Sequence, residues 1–342
     1  MINLRIFASK LHPDPVATAI AACTWTLPAV TSALIGVQVS AAPAVIPAGL
    51  VGLGIFAPLP AFYYLIESGR SRGLATLALA LLISGIVSFS IGQSWAFMST
   101  LLMMPAGIAL YKSTRGNIGN PAQAGLSAFL VLLLVWCAWV VVSRISLSAS
   151  PDLYGDLILS LDQGLIETGK TLKENAQIGP EQALEIETTV TGLRGLLPKV
   201  MPGLLLTTML NTVFLNMVVG QYLLRRKKAE LAPWPAFATW RLPEPLVALV
   251  ILAGISLLVP VPLINDIGLN LLLVSGTLYF FQGLTLLTGL LNRWSVPGAL
   301  RFLIFLLVLV QAYGIVLLAI AGLVDVWADF RRPRPKPEVF ED

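Results

Sequence analysis

The chain has 342 residues, 56% of them hydrophobic and 12% charged, with a formal net charge of +4. A soluble domain carries roughly 25% charged residues, so this chain has too few polar side chains to cover a water-facing surface. Intrinsic disorder needs low hydrophobicity and high charge, and is excluded by the same figures. What remains is an all-α, polytopic membrane protein.

A crossing helix needs about 20 mainly apolar residues. Nine runs meet or approach that length: Val16–Gln38, Ala44–Ile66, Leu74–Ile91, Trp95–Tyr111, Ala122–Val142, Val200–Leu223, Leu246–Leu263, Ile267–Leu291 and Phe302–Val324. The expected fold is a transmembrane helix bundle of eight or nine spans. The first run has Lys10 before it and Ser40-Ala41-Ala42 after it, as a signal peptide would. Its apolar stretch is too long for a signal core, and Pro28 suits a kinked span. The fourth run is the shortest and holds Pro105, which leaves a kinked or re-entrant path open.

Between the fifth and sixth runs lies a polar stretch, residues 149–198, with eight acids against three bases. Leu157, Leu161, Leu165 and Leu172 recur at helical spacing, as do Ile186, Val190, Leu193 and Leu197 after Gly179-Pro180. Proline suits a first helical turn, so two amphipathic helices folded as a hairpin are expected. The acidic balance places them outside the cytoplasm, as a ligand lid, a structural cap or a dimer contact. The expected organisation is therefore 1–148 with five spans, 149–198 as the acidic insertion, 199–326 with four spans, and 327–342 as a tail. Pro333, Pro335 and Pro337 mark that tail as lacking a core to join.

Orientation follows the positive-inside rule. A cytoplasmic N-terminus puts 13 of the 22 basic residues inside, among them the Arg225-Arg226-Lys227-Lys228 cluster. Nine crossings would then leave the basic tail outside, so the side of the C-terminus stays open. The basic residues are scattered between apolar runs, which gives no nucleic-acid stripe. The expected location is a bacterial inner membrane, with lipids as the first partners.

Reactive motifs are missing. No phosphate-binding loop, zinc-protease helix or nucleophile elbow occurs. No catalytic residue, metal site or cofactor is expected, since two cysteines and one histidine (Cys23, Cys137 and His12) supply no ligand set. Both cysteines read as buried small hydrophobes. Arg144, Glu67 and Asp325 fall at run boundaries, where their heads would reach water. Uncharged amides inside the runs are more telling, because an amide in hydrocarbon needs a partner. Asn211, Asn216, Gln221, Asn270, Gln282 and Gln311 are such residues. They read either as interhelical glue or, for Asn211, Asn270 and Gln282 with Trp95, Tyr279 and Phe280 as walls, as a small-molecule cavity. Small residues at every fourth position, Ser84-Ser88-Gly92 and Ala17-Ala21, read as close helix contacts, within the chain or with a partner.

Three stretches carry a resemblance. They are Trp240-Arg241-Leu242-Pro243-Glu244, Tyr279-Phe280-Phe281-Gln282-Gly283, and Gly322-Leu323-Val324-Asp325 followed by Asp329-Phe330-Arg331. With Pro58-Leu59-Pro60 they resemble the YybS-like family of bacterial predicted membrane proteins, over nearly the whole chain. That family is in turn distantly similar to the substrate-binding S components of energy-coupling-factor transporters. The resemblance implies a six-helix core and, through Ala17 and Ala21, a face that docks a coupling subunit. On the residues themselves, Trp240, Arg241 and Glu244 read as interface anchors at a helix start, and Asp325 and Arg331 as a pair at a water boundary.

The leading expectation is a non-enzymatic module that binds or helps transport a small molecule, powered by ATPase subunits or working as a homo-oligomer. Its rival is a membrane scaffold acting through the acidic hairpin and the basic loops. An intramembrane enzyme acting on lipid is the third, and it lacks a base.

Overall fold

The computed structural model describes residues 14–35, 52–116, 120–146, 153–174, 179–328 and 330–331. Lys10, His12, Ser40-Ala41-Ala42, Asp329 and the prolines of the tail lie outside them, as do the side chains of Pro28, Trp95, Arg144 and Leu157. Every described regular element is helical. Eleven α-helices follow in order: α1 Pro15–Ile35, α2 Pro58–Glu67, α3 Gly69–Ser90, α4 Ser94–Arg115, α5 Pro121–Ser146, α6 Leu153–Lys173, α7 Pro180–Lys227, α8 Val247–Leu258, α9 Pro262–Arg293, α10 Gly298–Val310 and α11 Ala312–Ala328. Short 3-10 turns precede α2 and α8. The chain divides into two compact units, 1–234 and 235–342.

Large apolar side chains stand exposed on several helices, and uncharged polar ones are buried beside the apolar core. Leu126, Leu130 and Leu134 on α5, and Ile251, Ile255 and Leu258 on α8, stand exposed. Thr76, Ser84 and Ser88 on α3, Thr212 and Asn216 on α7, and Ser275 on α9 are buried. Apolar side chains outside and polar ones inside suit a hydrocarbon solvent, where only internal partners can satisfy a polar group. Cys23 and Cys137 are exposed on their helices, not buried as expected.

Among the described residues four helices are long and apolar enough to cross a membrane: α3, the first 22 residues of α5, α7 and α9. A fifth span results if α10 and α11, bent by 103°, count as one broken crossing. Eight or nine spans were expected, and two of the nine runs fall short for a physical reason. The described part of the second run is a 3-10 turn and a 10-residue helix, α2, about 15 Å long at 1.5 Å per residue. The seventh run yields the 12-residue α8, about 18 Å, ended by Pro260 and Pro262. Neither length reaches the roughly 30 Å of a hydrocarbon core.

In unit 1, Asp14 caps α1: its carboxylate accepts the Val16 and Ala17 N–H groups at 2.9 and 3.2 Å. The chain entering α2 is held by side chains from two other helices. Trp25 of α1 donates its indole N–H to the Ala57 carbonyl at 2.8 Å, and Asn216 of α7 donates to the Ile55 carbonyl at 2.7 Å. Phe62 of α2 stacks on Trp234 at 5.5 Å, and Glu67 pairs with Lys227.

α7 is the longest element, 48 residues running unbroken through Pro198 and Pro202. It crosses the 198/199 boundary drawn from sequence. A proline removes one backbone donor, which a membrane helix tolerates when its neighbours support it. Lys173–Glu187 and Asp162–Arg194 join α6 to the first part of α7 in antiparallel sense. Beneath them Met201 and Leu205 pack with Trp136, Ile158 and Leu197. Leu161, Leu172 and Leu193 stay exposed, so the two expected leucine stripes are only partly covered.

The Arg194 guanidinium grips Asp162 as a fork, its Nη2 at 2.9 Å, and this hydrogen bonding holds the Asp162 carboxyl below the usual carboxylate range. A lowered folded-state value means that the pair favours folding above about pH 4, the unfolded carboxylate value, and that this contribution fades as pH falls further. The protection of α6 amides, taken as the intrinsic exchange rate at each pH over the observed rate, should therefore fall between pH 6 and pH 3. Asp162→Asn should be less protected at pH 6 and lose most of that fall; an unchanged wild-type profile in the variant would count against the pair.

Candidate functional site

The three motif stretches meet in unit 2, where they build one buried polar knot. α9 brings Gln282 and Thr285, α11 brings Asp325, and Arg331 follows just beyond the end of α11. The loop before α8 brings the carbonyls of Ala238 and Trp240 and the N–H of Leu242. Asp325 is 2% exposed, and its Oδ2 lies 3.1 Å from Arg331 Nη2. Arg331 Nη1 donates to the Ala238 and Trp240 carbonyls, both at 2.9 Å. Its Nη2 also reaches the Thr285 hydroxyl at 2.9 Å and the Gln282 carbonyl at 3.4 Å. The Thr285 hydroxyl lies 3.1 Å from the Trp240 carbonyl and 2.8 Å from that of Gln282, and donates its proton there. Gln282 accepts the Leu242 N–H at 3.1 Å, and its Nε2 sits 3.5 Å from Asp325 Oδ2, the outer limit of a hydrogen bond.

The α9–α11 crossing beside the knot depends on two glycines. A Cβ on Gly283 would collide with the Leu318 backbone, and one on Gly322 with the backbones of Tyr279 and Gly283. Removing both side chains lets α11 lie directly on α9, which brings Asp325 within reach of Gln282.

The sequence expectations for this region are partly redrawn. Asp325 and Arg331 do pair, but Asp325 is buried and does not reach a water boundary. Trp240 is also buried, with its indole N–H on the Pro235 carbonyl at 3.0 Å and its ring edge-on to Phe237. It is a packing residue and not an exposed anchor. Arg241 and Glu244 are exposed, with Glu244 opening a 3-10 turn after Pro243.

Asn270 and Gln282 are 12 residues apart on α9, about 18 Å along the axis. Asn211 and Asn270 each donate to a carbonyl four residues earlier in their own helix, at 2.9 and 2.6 Å. Tyr279 is buried and its hydroxyl has no hydrogen-bond partner, whereas Phe280 is half-buried. Asn211 belongs to unit 1 and the side chain of Trp95 is outside the described set.

Among the small-residue sites, Ala17 and Ala21 are covered within unit 1, at 4% and 0% exposure. The face that the S-component resemblance assigns to a coupling subunit is thus occupied by the chain's own helices. Ser84 and Ser88 are fully buried. Gly92 does not continue their contact: it has φ +73° with nothing near a Cβ. It ends α3, its N–H donating to Phe89 O at 3.2 Å while that of Gln93 donates to Ser88 O at 2.8 Å. This double bond pattern is a left-handed helix stop that favours glycine.

Sequence reasoning missed Trp25, Thr285 and the three backbone carbonyls that receive Arg331. A threonine or tryptophan inside an apolar run is an ambiguous signal, and carbonyl acceptors leave none. Among the described residues no three His, Cys, Asp or Glu side chains gather as a metal site would require.

Long apolar helices with exposed apolar faces and buried polar side chains define a multi-pass helical membrane protein. The chain belongs to the family of predicted membrane proteins DUF2232, whose profile matches residues 15–326. No curated protein and no solved structure matches it.

Proposed function

We propose that the protein is a scaffold of the bacterial cytoplasmic membrane, whose two-helix arm presents a binding surface for a partner protein on the extracytoplasmic side. The observation that carries this reading is the continuity of α7. Forty-eight residues make a helix about 72 Å long, more than twice the hydrocarbon thickness. With Val200–Leu223 in the bilayer, residues 180–198 project beyond it and carry α6 with them through two ion pairs. The arm bears the excess of acids, and the opposite end of the same helix bears Arg225-Arg226-Lys227-Lys228. The positive-inside rule then puts that cluster in the cytoplasm. A total of eight or nine crossings would require α1, α4 and the shorter helices to enter the membrane as well. The reading is non-enzymatic and needs no cofactor.

In sealed cells a membrane-impermeant thiol reagent should label Leu184→Cys and spare Lys227→Cys, both in a background without Cys23 and Cys137. The reverse pattern would overturn the orientation. Protein that co-purifies with the wild type should be lost from a Glu181→Lys/Glu185→Lys variant that still folds. An unchanged complement, or none with either protein, would sink the scaffold reading.

A second reading is a small-molecule binding or transport module of S-component type, lacking its own energy source and working with ATPase subunits or as a homo-oligomer. One observation favours it: Tyr279 Oη and Asp325 Oδ1 are buried in unit 2 without hydrogen-bond partners, and a bound polar molecule would satisfy them. A retained ligand or an associated ATPase separates it from the scaffold.

A further inference from the structure

The structure assigns to unit 2 a binding socket for a guanidinium-type cation, one that the chain's own Arg331 fills. The acceptor set carries this inference and stands apart from the arm. Five oxygen atoms surround one planar cation: the carbonyls of Ala238, Trp240 and Gln282, the Thr285 hydroxyl, and Asp325 Oδ2. Four of the five distances lie between 2.9 and 3.1 Å. They come from three separate segments and are split between Nη1 and Nη2, which matches the fixed fork of a guanidinium and not the point charge of an ammonium.

Only one of these acceptors carries charge. The Asp325 carboxylate neutralises the cation, and the other four select its shape. Asp325 Oδ1 is buried and unpartnered, which leaves the carboxylate able to accept one further N–H from a guanidinium that is not held by a chain tether. The Arg331 side chain keeps 11% of its surface exposed, so the socket has an open edge. Arg331 also enters from just past the last helical turn of α11, so its withdrawal would not require α9 to unfold. The ligand class is a free guanidinium or a small substituted guanidine, for which Arg331 is an intramolecular surrogate.

The test is chemical rescue in the full-length protein. Arg331→Ala empties the socket and leaves Asp325 buried without its counter-ion. Thermal unfolding of the detergent-purified variant should shift upward with methylguanidinium in a saturable way, half-maximal at about 1 mM, a range accessible to a ligand of five heavy atoms. The wild type should need at least about tenfold more, because its tethered Arg331 competes at a high effective concentration. Methylammonium and sodium should not rescue, and adding Asp325→Asn to Arg331→Ala should abolish the response. If Arg331→Ala fails to accumulate folded, expression and purification in methylguanidinium provides the same readout, as recovered monodisperse protein that is lost on dialysis. Equal responses of wild type and variant, rescue by every cation tested, or no rescue in either measurement would overturn the socket. None of these results bears on the arm, which is tested by labelling and co-purification.

Discussion

Asp325→Ala should cost unit 2 about 3–5 kcal/mol, the range for removing one partner of a buried ion pair. The Arg331 guanidinium would lose the carboxylate 3.1 Å from its Nη2, in a place where its side chain is only 11% exposed. Asp325→Asn keeps the volume and one acceptor oxygen, and should fall between the wild type and Asp325→Ala. The pair itself need not be a net source of stability, since desolvating two charges offsets much of their attraction. An Asp325→Leu/Arg331→Met double substitution should therefore recover most of the loss and come within about 1–2 kcal/mol of the wild type. Unfolding in detergent, read on the four corners of this cycle, separates the coupling from the single losses. Additive losses in the double variant would mean that the two residues act independently.

The membrane class was legible from composition because half the usual charge admits no other solvent. Individual crossings were less so. Hydropathy marks where the chain is apolar and not how far one helix continues. Pro58-Leu59-Pro60 opens the 10-residue α2 inside the second run, and Pro260 and Pro262 follow the 12-residue α8 of the seventh. At Gln311 the ninth run breaks between two apolar helices with only one amide and the nearby Gly314 to announce it. Pro198 points the other way: the acidic insertion was ended there, and α7 passes through it and through Pro202. A proline predicts a missing hydrogen bond; packing around it decides whether the helix ends.

The knot shows a different limit. Its three motifs were each visible, but depth along the chain says nothing of which segments meet. Asp325 stands at the end of an apolar run, as a residue reaching for water does, and Trp240 opens another, as an interfacial anchor does. Their burial follows from a contact between elements more than 40 residues apart in sequence, Gln282 with Asp325 and Thr285 with Trp240. The acceptors that hold Arg331 are mostly backbone carbonyls, which every residue has. Asn211 and Asn270 each place one amide N–H on a carbonyl of their own helix, a local bond that an amide in an apolar run does not announce.

The contact that builds the knot makes Gly322, like Gly283 across from it, highly size-sensitive. A methyl group added there would fall on the Tyr279 carbonyl and the Gly283 nitrogen, and neither can turn aside as a side-chain end could. Overpacking of this kind costs typically 1–3 kcal/mol and occasionally more; with backbone on both sides, Gly322→Ala should lie at the upper end and Gly322→Val beyond it. Separation of α11 from α9 would also carry Asp325 away from Gln282, so part of the ion-pair loss should appear in the same variant. Gly276, also on α9, has nothing near its would-be Cβ. Gly276→Ala should be neutral or more stable by up to about 1 kcal/mol, because alanine favours a helix interior. Parallel thermal unfolding of the two alanine variants tests whether crowding at the crossing, and not glycine's helix propensity, sets the effect. A Gly322→Ala protein that melts with or above Gly276→Ala would remove the close crossing, and with it the geometry that brings Asp325 to Gln282.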